Sequence, residues 1–341
     1  MNHMKKWIWL LLVMLGAILV MGIGGWFRQP EMLPFVETVP VERPQTQSKS
    51  QKLEGIGSVS SDRLLAHIQK LNFQRYTTIE RSRTRTYITN ELRKLGWKPR
   101  LEKFAEGVNI FAERLGTDKA AGKILVAAHY DTVPDSPGAD DNASGIAVVL
   151  EIARLLGSYP TPRTLQLALF DKEEAGLLGS KAFVTQTAHL QNLQGVIVMD
   201  MIGFACYTVG CQKYPAGLPI TPPSEKGDFL AVVGDAEHLP LLNSFKTTNQ
   251  NLPPIFTLPV PLKGLLTPDT LRSDHAPFWY QGVGAVLVTD TAELRTPHYH
   301  RSSDKPTTIV RSFFTGSAQI VVNATTKLLE KTDVLTTQPP T

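Results

Sequence analysis

Cysteine is nearly absent from this chain: Cys206 and Cys211 are the only two among 341 residues. They do not form a Cys-x-x-Cys and have no second pair, which argues against a zinc site built on them. Outside the cytoplasm they could pair as a disulfide. The loop between them is short, so a bridge would fix local shape more than global stability. An excess of one charge is also missing. The net charge is +4, and no basic stripe interleaved with aromatics runs along the chain, so nucleic acid is not an expected partner. There is no internal repeat. Long apolar runs are absent but for one, residues 7–27, about twenty residues with no charge inside, enough to span a bilayer. Lys5 and Lys6 precede it, which places residues 1–6 in the cytoplasm as a stub and the bulk of the chain outside. The competing reading is a cleaved signal peptide, but the run is long for one, and only Gly22–Gly25 offers a weak cleavage candidate.

With a hydrophobic content of 42%, the rest can bury a sizeable core. Residues 28–57 read as a Pro/Gln/Ser tether, broken by Pro30, Pro34, Pro40 and Pro44. Ser61 then caps a helix with Leu64, Leu65, Ile68 and Leu71 on one face. A second helix, from about Ile79 to Leu95, carries Arg81, Arg83, Arg85, Arg93 and Lys94. These read as a solvated face, the alternative being a contact for an acidic partner or lipid headgroups. Trp97–Phe104 and Asn109–Leu115 look like strands. Helices and apolar strands alternate from there: strands at Ile124–Ala128, Thr164–Phe170, Gly195–Met199, Phe229–Val233 and Ala285–Val288, helices at Ala143–Leu156, from Ala175 through Phe183, at Glu237–Thr248 and at Thr308–Leu329. Residues 251–272 read as a proline-rich loop, and 332–341 as a frayed tail. The expectation is an α/β fold, a mostly parallel mixed sheet with helices on both faces, preceded by a single transmembrane helix.

Chemistry gathers at the strand exits, where ligands bind in such sheets. One strand ends on His129, with Asp131 two residues on, and a turn-rich loop then delivers Asp140-Asp141-Asn142. Another ends at Asp171-Lys172-Glu173-Glu174, and a third at Asp200. His300 lies in the loop after a fourth. One sheet edge therefore brings His129, Asp141, Glu174, Asp200 and His300 within reach of each other, with Glu173 and Asp131 beside them. So many carboxylates in one small site repel each other and raise their own pKa values. Two divalent ions sharing a bridging carboxylate would resolve the repulsion, and imidazole with carboxylate suits zinc.

These pieces together resemble the co-catalytic di-zinc aminopeptidases, zinc exopeptidases related to bacterial leucyl aminopeptidase and glutamate carboxypeptidase. The resemblance covers roughly residues 60 to 330. It rests on His129-x-Asp131, on Gly138-Ala-Asp-Asp141-Asn-Ala-Ser-Gly145, on Asp171-x-Glu-Glu174 with Gly176-Leu-Leu-Gly-Ser180, on Met199-Asp200, and on Tyr299-His300 with Asp304. It implies a zinc peptidase domain over 58–331 holding two Zn2+ ions. Asp141 would bridge them, since the family's bridging Asp stands three residues before the Ser-Gly. His129 and Asp200 would complete one ion, Glu174 and His300 the other. Glu173 would act as general base on the bridging water, and Asp131 would orient His129. The resemblance also implies a cis peptide after Asp141. Tyr299 is a candidate oxyanion donor, a core tyrosine being the alternative. His275 reads as structural; His67, His189, His238 and His298 read as surface residues.

The implied activity is aminopeptidase action on peptides with a free N-terminus, by a domain held outside the cytoplasm on the membrane. Two alternatives stand beside it. One is a single-zinc acyltransferase of the glutaminyl cyclase type, whose usual insertion after the Glu-Glu this chain lacks. The other is a catalytically inactive, receptor-like ectodomain, which would have lost ligands that are all present here.

Overall fold

The computed structural model describes residues 57–215, 221–333 and 335. The expected stub, membrane anchor and most of the tether and tail lie outside them. Among the described residues no helix is long and apolar enough to cross a membrane. The described residues hold eight strands: β1 (Arg100–Lys103), β2 (Val108–Arg114), β3 (Lys123–His129), β4 (Thr164–Phe170), β5 (Leu193–Met199), β6 (Leu230–Asp235), β7 (Ile255–Val260) and β8 (Ala285–Thr289). The helices are α1 (Ser61–Lys70), α2 (Thr78–Lys94), α3 (Ala143–Leu156), α4 (Leu178–Val184), α5 (Thr187–Leu190), α6 (Leu239–Asn243), α7 (Ala276–Tyr280) and α8 (Arg311–Glu330).

All eight strands form one mixed sheet in the order β1-β2-β4-β3-β5-β8-β6-β7. The four in the middle, β4, β3, β5 and β8, run parallel to one another. Antiparallel pairing joins this centre to β2 on one side and to β6 on the other. The carboxyl ends of β3, β4, β5 and β8 therefore share one edge. Alternation along β3 feeds two cores: Ile124, Val126 and Ala128 face the larger one, with α1, α3 and α8, while Leu125 and Ala127 face the smaller, with Phe183 of α4 and Phe278 and Trp279 of α7. Burial on both faces explains why these strands read as continuous apolar runs.

Local chemistry sets the helix ends. Ser60, one residue before the cap read from sequence, accepts the Arg63 N–H and starts α1. Thr77 and Glu80 form a capping box at α2. The Asn142 side chain accepts the Gly145 N–H and starts α3.

Four readings are corrected. The segment 251–272 contains β7, which pairs with β6 alone. Pro259 lies inside it, and an edge strand tolerates a proline because one side needs no ladder donor. The helix expected over 237–248 shrinks to α6, preceded by a 3-10 turn at Ala236–His238; Pro240 lies in its first turn and the Ser244 hydroxyl closes it by donating to the Leu241 carbonyl at 2.6 Å. Arg81 and Arg85 are not a solvated face: Arg81 meets buried Asp171 at 2.9 Å and Arg85 meets it at 3.5 Å. His189 and His238 are buried, His189 stacked on Phe183 and facing Glu102 at 3.0 Å, His238 held by Asp235 at 2.8 Å.

Candidate metal centre

His129 is the last residue of β3, Asp171 follows β4, and Asp200 follows β5. The chain turns hard at these exits. Lys172, Met201 and His300 all have left-handed φ, at 61°, 53° and 56°, a conformation that costs a residue with a side chain of order 1–3 kcal/mol. The turn after β4 aims Glu173 and Glu174 back over the sheet edge. The loop 130–142 brings Asp141 in from the other side, and its Asp141–Asn142 peptide is cis. Gly138 in that loop has a φ of 58°, and a Cβ there would fall 2.1 Å from the Asp141 carbonyl oxygen, so only glycine fits. Asn142, besides capping α3, donates to the Met199 carbonyl at 2.8 Å. That bond ties the Asp141 loop to the strand end that carries Asp200.

The side chains converge on Asp141. Its Oδ1 lies 3.3 Å from His129 Nε2, and its Oδ2 lies 3.3 Å from His300 Nε2. Asp200 Oδ1 is 3.5 Å from the same His129 nitrogen, and Glu174 Oε2 is 3.0 Å from the His300 one. Two sets of donor atoms within 4.8 Å of each other thus share Asp141: His129 with Asp200, and Glu174 with His300. A third set is His129, Glu173 and Glu174, so proximity alone leaves Glu173 either ligand or base. Asp131 is 3.6 Å from His129 Nδ1. Its two oxygens also accept the backbone N–H groups of Glu173 and Glu174, at 3.0 and 3.2 Å. Tyr299 stacks on His300 at 3.7 Å, and its hydroxyl oxygen accepts from Arg272 at 3.4 Å. His275 is fully buried, belongs to none of these donor sets and hydrogen-bonds the Thr270 carbonyl at 2.8 Å.

The electrostatics follow from burial and crowding. Burial and the negative charge of Asp141 push Glu174 up to about 7. Burial pushes Glu173 well above the ordinary range, with Asp200, Asp274 and Glu174 adding to the rise. Burial would also raise Asp141, but the two imidazoles overcome it and hold this carboxyl below the usual range. Burial lowers the imidazoles, yet Asp141 and Glu174 lift His300 to about 10, and Glu173 with the neighbouring aspartates lifts His129 well above its usual value. The cluster draws in positive charge. Nitrogen and carboxylate donors around one shared carboxylate fit a pair of divalent cations, and Glu174 Oε1, buried without a hydrogen-bond partner, is a donor left over for one.

A cavity of about 510 Å3 opens beside the cluster. Its floor is apolar: Phe229, Ala231, Val233, Phe256, Leu258 and Leu287, from β6, β7, β8 and the residue before β6. Its rim is polar, with Arg272 ion-paired to Glu293 near Tyr299.

Sequence reasoning missed Arg75. It is fully buried, and its guanidinium donates to the carbonyls of Leu71, Tyr130, Pro137 and Gly138 at 2.7–2.8 Å. An arginine satisfied by carbonyl oxygens leaves no spacing for a sequence to show. The part of Asp304 also went unread, although the residue was noted.

Residues 109–325 match the model of peptidase family M28. The chain is 31% identical over 220 residues to the uncharacterized protein YfbL of Escherichia coli, covering 60% of this chain and 66% of that one. It is 44% identical over 82 residues to the aminopeptidase YwaD of Bacillus subtilis, covering 24% of this chain and 18% of that one. The LapA aminopeptidase of Legionella pneumophila shares the fold, with a TM-score of 0.62 at 18% identity over 80% of this chain and 73% of its own. The matched stretch is therefore less than two thirds of YfbL and under one fifth of YwaD.

Proposed function

The chain belongs to peptidase family M28, and from that premise we propose that it is a zinc-dependent aminopeptidase using two zinc ions. The observation that carries the reading is Asp141, whose two oxygens each face a different imidazole at 3.3 Å. His129, Asp141 and Asp200 would hold one ion, and Asp141, Glu174 and His300 the other. Bound there, the ions would polarise the scissile carbonyl and acidify the attacking water.

The chain's own residues supply the rest. Glu173 is buried beside the cluster, and burial strengthens its hold on a proton, which favours its acting as the base. It takes a proton from the water and passes it to the leaving amine. Asp131 holds the Glu173–Glu174 backbone and faces His129 Nδ1, so one carboxylate orients ligand and base together. Arg272 donates to the Tyr299 oxygen, which leaves the phenolic proton free for the developing oxyanion. Acidic groups of the site receive the free amine of the substrate.

The apolar cavity floor supports a preference for a large aliphatic or aromatic terminal residue. A leucyl substrate buries three more carbons than an alanyl one, at about 0.8 kcal/mol each. Even partial burial, about 2 kcal/mol, gives roughly thirty-fold in kcat/KM. The test is hydrolysis of leucyl, alanyl and N-acetyl-leucyl chromogenic amides by zinc-loaded protein. Cleavage of the first above the second, and none of the third, is expected. Equal cleavage of the blocked amide would overturn the aminopeptidase reading, and cyclisation of glutaminyl peptides without hydrolysis would favour the acyltransferase.

We place the catalytic domain outside the cytoplasm, on a single-pass anchor at residues 7–27. The apolar run after Lys5 and Lys6 supports this, as does the Cys206–Cys211 disulfide, since such bonds persist in oxidising compartments. Release of full-length protein from membranes by carbonate washing would contradict it.

A further inference from the structure

Asp304 stands four residues after His300 and is buried. Its Oδ1 accepts the N–H of Asp140 at 2.9 Å, and its Oδ2 accepts the N–H of Asp141 at 3.1 Å. Its backbone carbonyl accepts the N–H of Ala139 at 3.2 Å. Three consecutive amides of the loop that carries Asp141 thus end on one residue, and that residue belongs to the loop that carries His300. Arg75 grips the same loop through its carbonyls, donating to Pro137 at 2.7 Å, Gly138 at 2.8 Å and Asp141 at 3.3 Å. The amide side is taken by a carboxylate and the carbonyl side by a guanidinium. Both are charge-assisted, the stronger kind of hydrogen bond.

We propose that Asp304 is a positioning residue for the metal pair, locking the Asp141 loop to the His300 loop so that the shared carboxylate and His300 meet at one fixed separation. The assignment rests on the two-ion reading above. Asp131 does the like for the other wall, taking two successive amides of the Glu173–Glu174 turn. What Asp304 adds is register between two loops distant in sequence. Asp304 itself is in none of the donor sets and does not line the cavity.

Asp304→Asn is the probe. The amide keeps one acceptor and presents an NH2 group to a backbone N–H, so one bond is lost and a donor opposes a donor. Zinc affinity measured by chelator competition should fall about ten- to a hundred-fold, the usual effect of disturbing a residue behind a ligand. The visible absorption of the cobalt-substituted protein, which reports ligand geometry, should shift. The melting temperature of the metal-free protein should change by only a few degrees. Wild-type affinity and an unaltered cobalt spectrum in Asp304→Asn would overturn the proposal. If that variant does not fold, Asp304→Glu decides, because it keeps both acceptor oxygens but displaces them. A shifted cobalt spectrum in a folded Asp304→Glu supports the assignment, and a wild-type spectrum or a second failure to fold overturns it. A wild-type protein that binds neither zinc nor cobalt would overturn the two-ion reading itself, and this assignment with it.

Discussion

At the scale of single residues, Glu173 and Glu174 are adjacent in sequence and differ in surroundings. Glu174 reaches His300 at 3.0 Å and sits in the set that shares Asp141. Glu173 lies against His129 and the acidic groups around it, deeper in the protein. If Glu173 moves the proton, Glu173→Gln should lower kcat about a hundred- to ten-thousand-fold while zinc content measured by elemental analysis stays unchanged. Loss of one zinc with the activity would make it a ligand instead. The ligands also predict a pH effect. His300, raised to about 10, and Glu174, raised to about 7, both hold protons that a metal must displace. A protonated donor cannot bind, so zinc affinity should rise as pH increases through about 7, with proton release on binding. Calorimetry in two buffers of different ionisation enthalpy checks this. An affinity independent of pH would contradict it.

Among the elements, the central ones were the most legible. α3 and β4 occupy the residues that the pattern of apolar positions marks out, because β4 is buried on both sides and α3 is fixed by Asn142 at its start. The site was legible for the same reason. A parallel sheet sends its strand ends to one edge, so His129, the turn after Asp171 and Asp200 could be brought together from sequence order alone. β7 was hidden because a proline inside a strand reads as a break until its edge position is known. The buried arginines were hidden because their partners are backbone carbonyls or an aspartate far along the chain. Arg81 illustrates the cost. Asp171 follows β4 and accepts the Val108 N–H at 3.0 Å, and Arg81 pairs with it from α2. Removing one partner of such a buried pair costs about 3–5 kcal/mol. Arg81→Leu should therefore lower the stability of the metal-free protein by about 3 kcal/mol in urea denaturation. A change under 1 kcal/mol would show that Asp171 does not depend on it.

At the scale of the whole molecule, the fold is one sheet with a crowded acidic edge. Four parallel strands in the middle deliver the clustered side chains, while the antiparallel strand β6 and its neighbour β7 extend the sheet to floor a cavity beside them. The cluster and the cavity lie side by side. The two imidazoles offset part of the cluster's charge, and Asp141 is the group that two of the sets of donors share. The most direct measurement is therefore zinc stoichiometry under native conditions in the wild type and in Asp141→Ala, with His275→Ala as the control. Two ions per chain in the wild type and in the control, and loss of both in Asp141→Ala, are predicted. A wild type holding a single ion, or an Asp141→Ala protein that keeps two, would contradict the shared-carboxylate account.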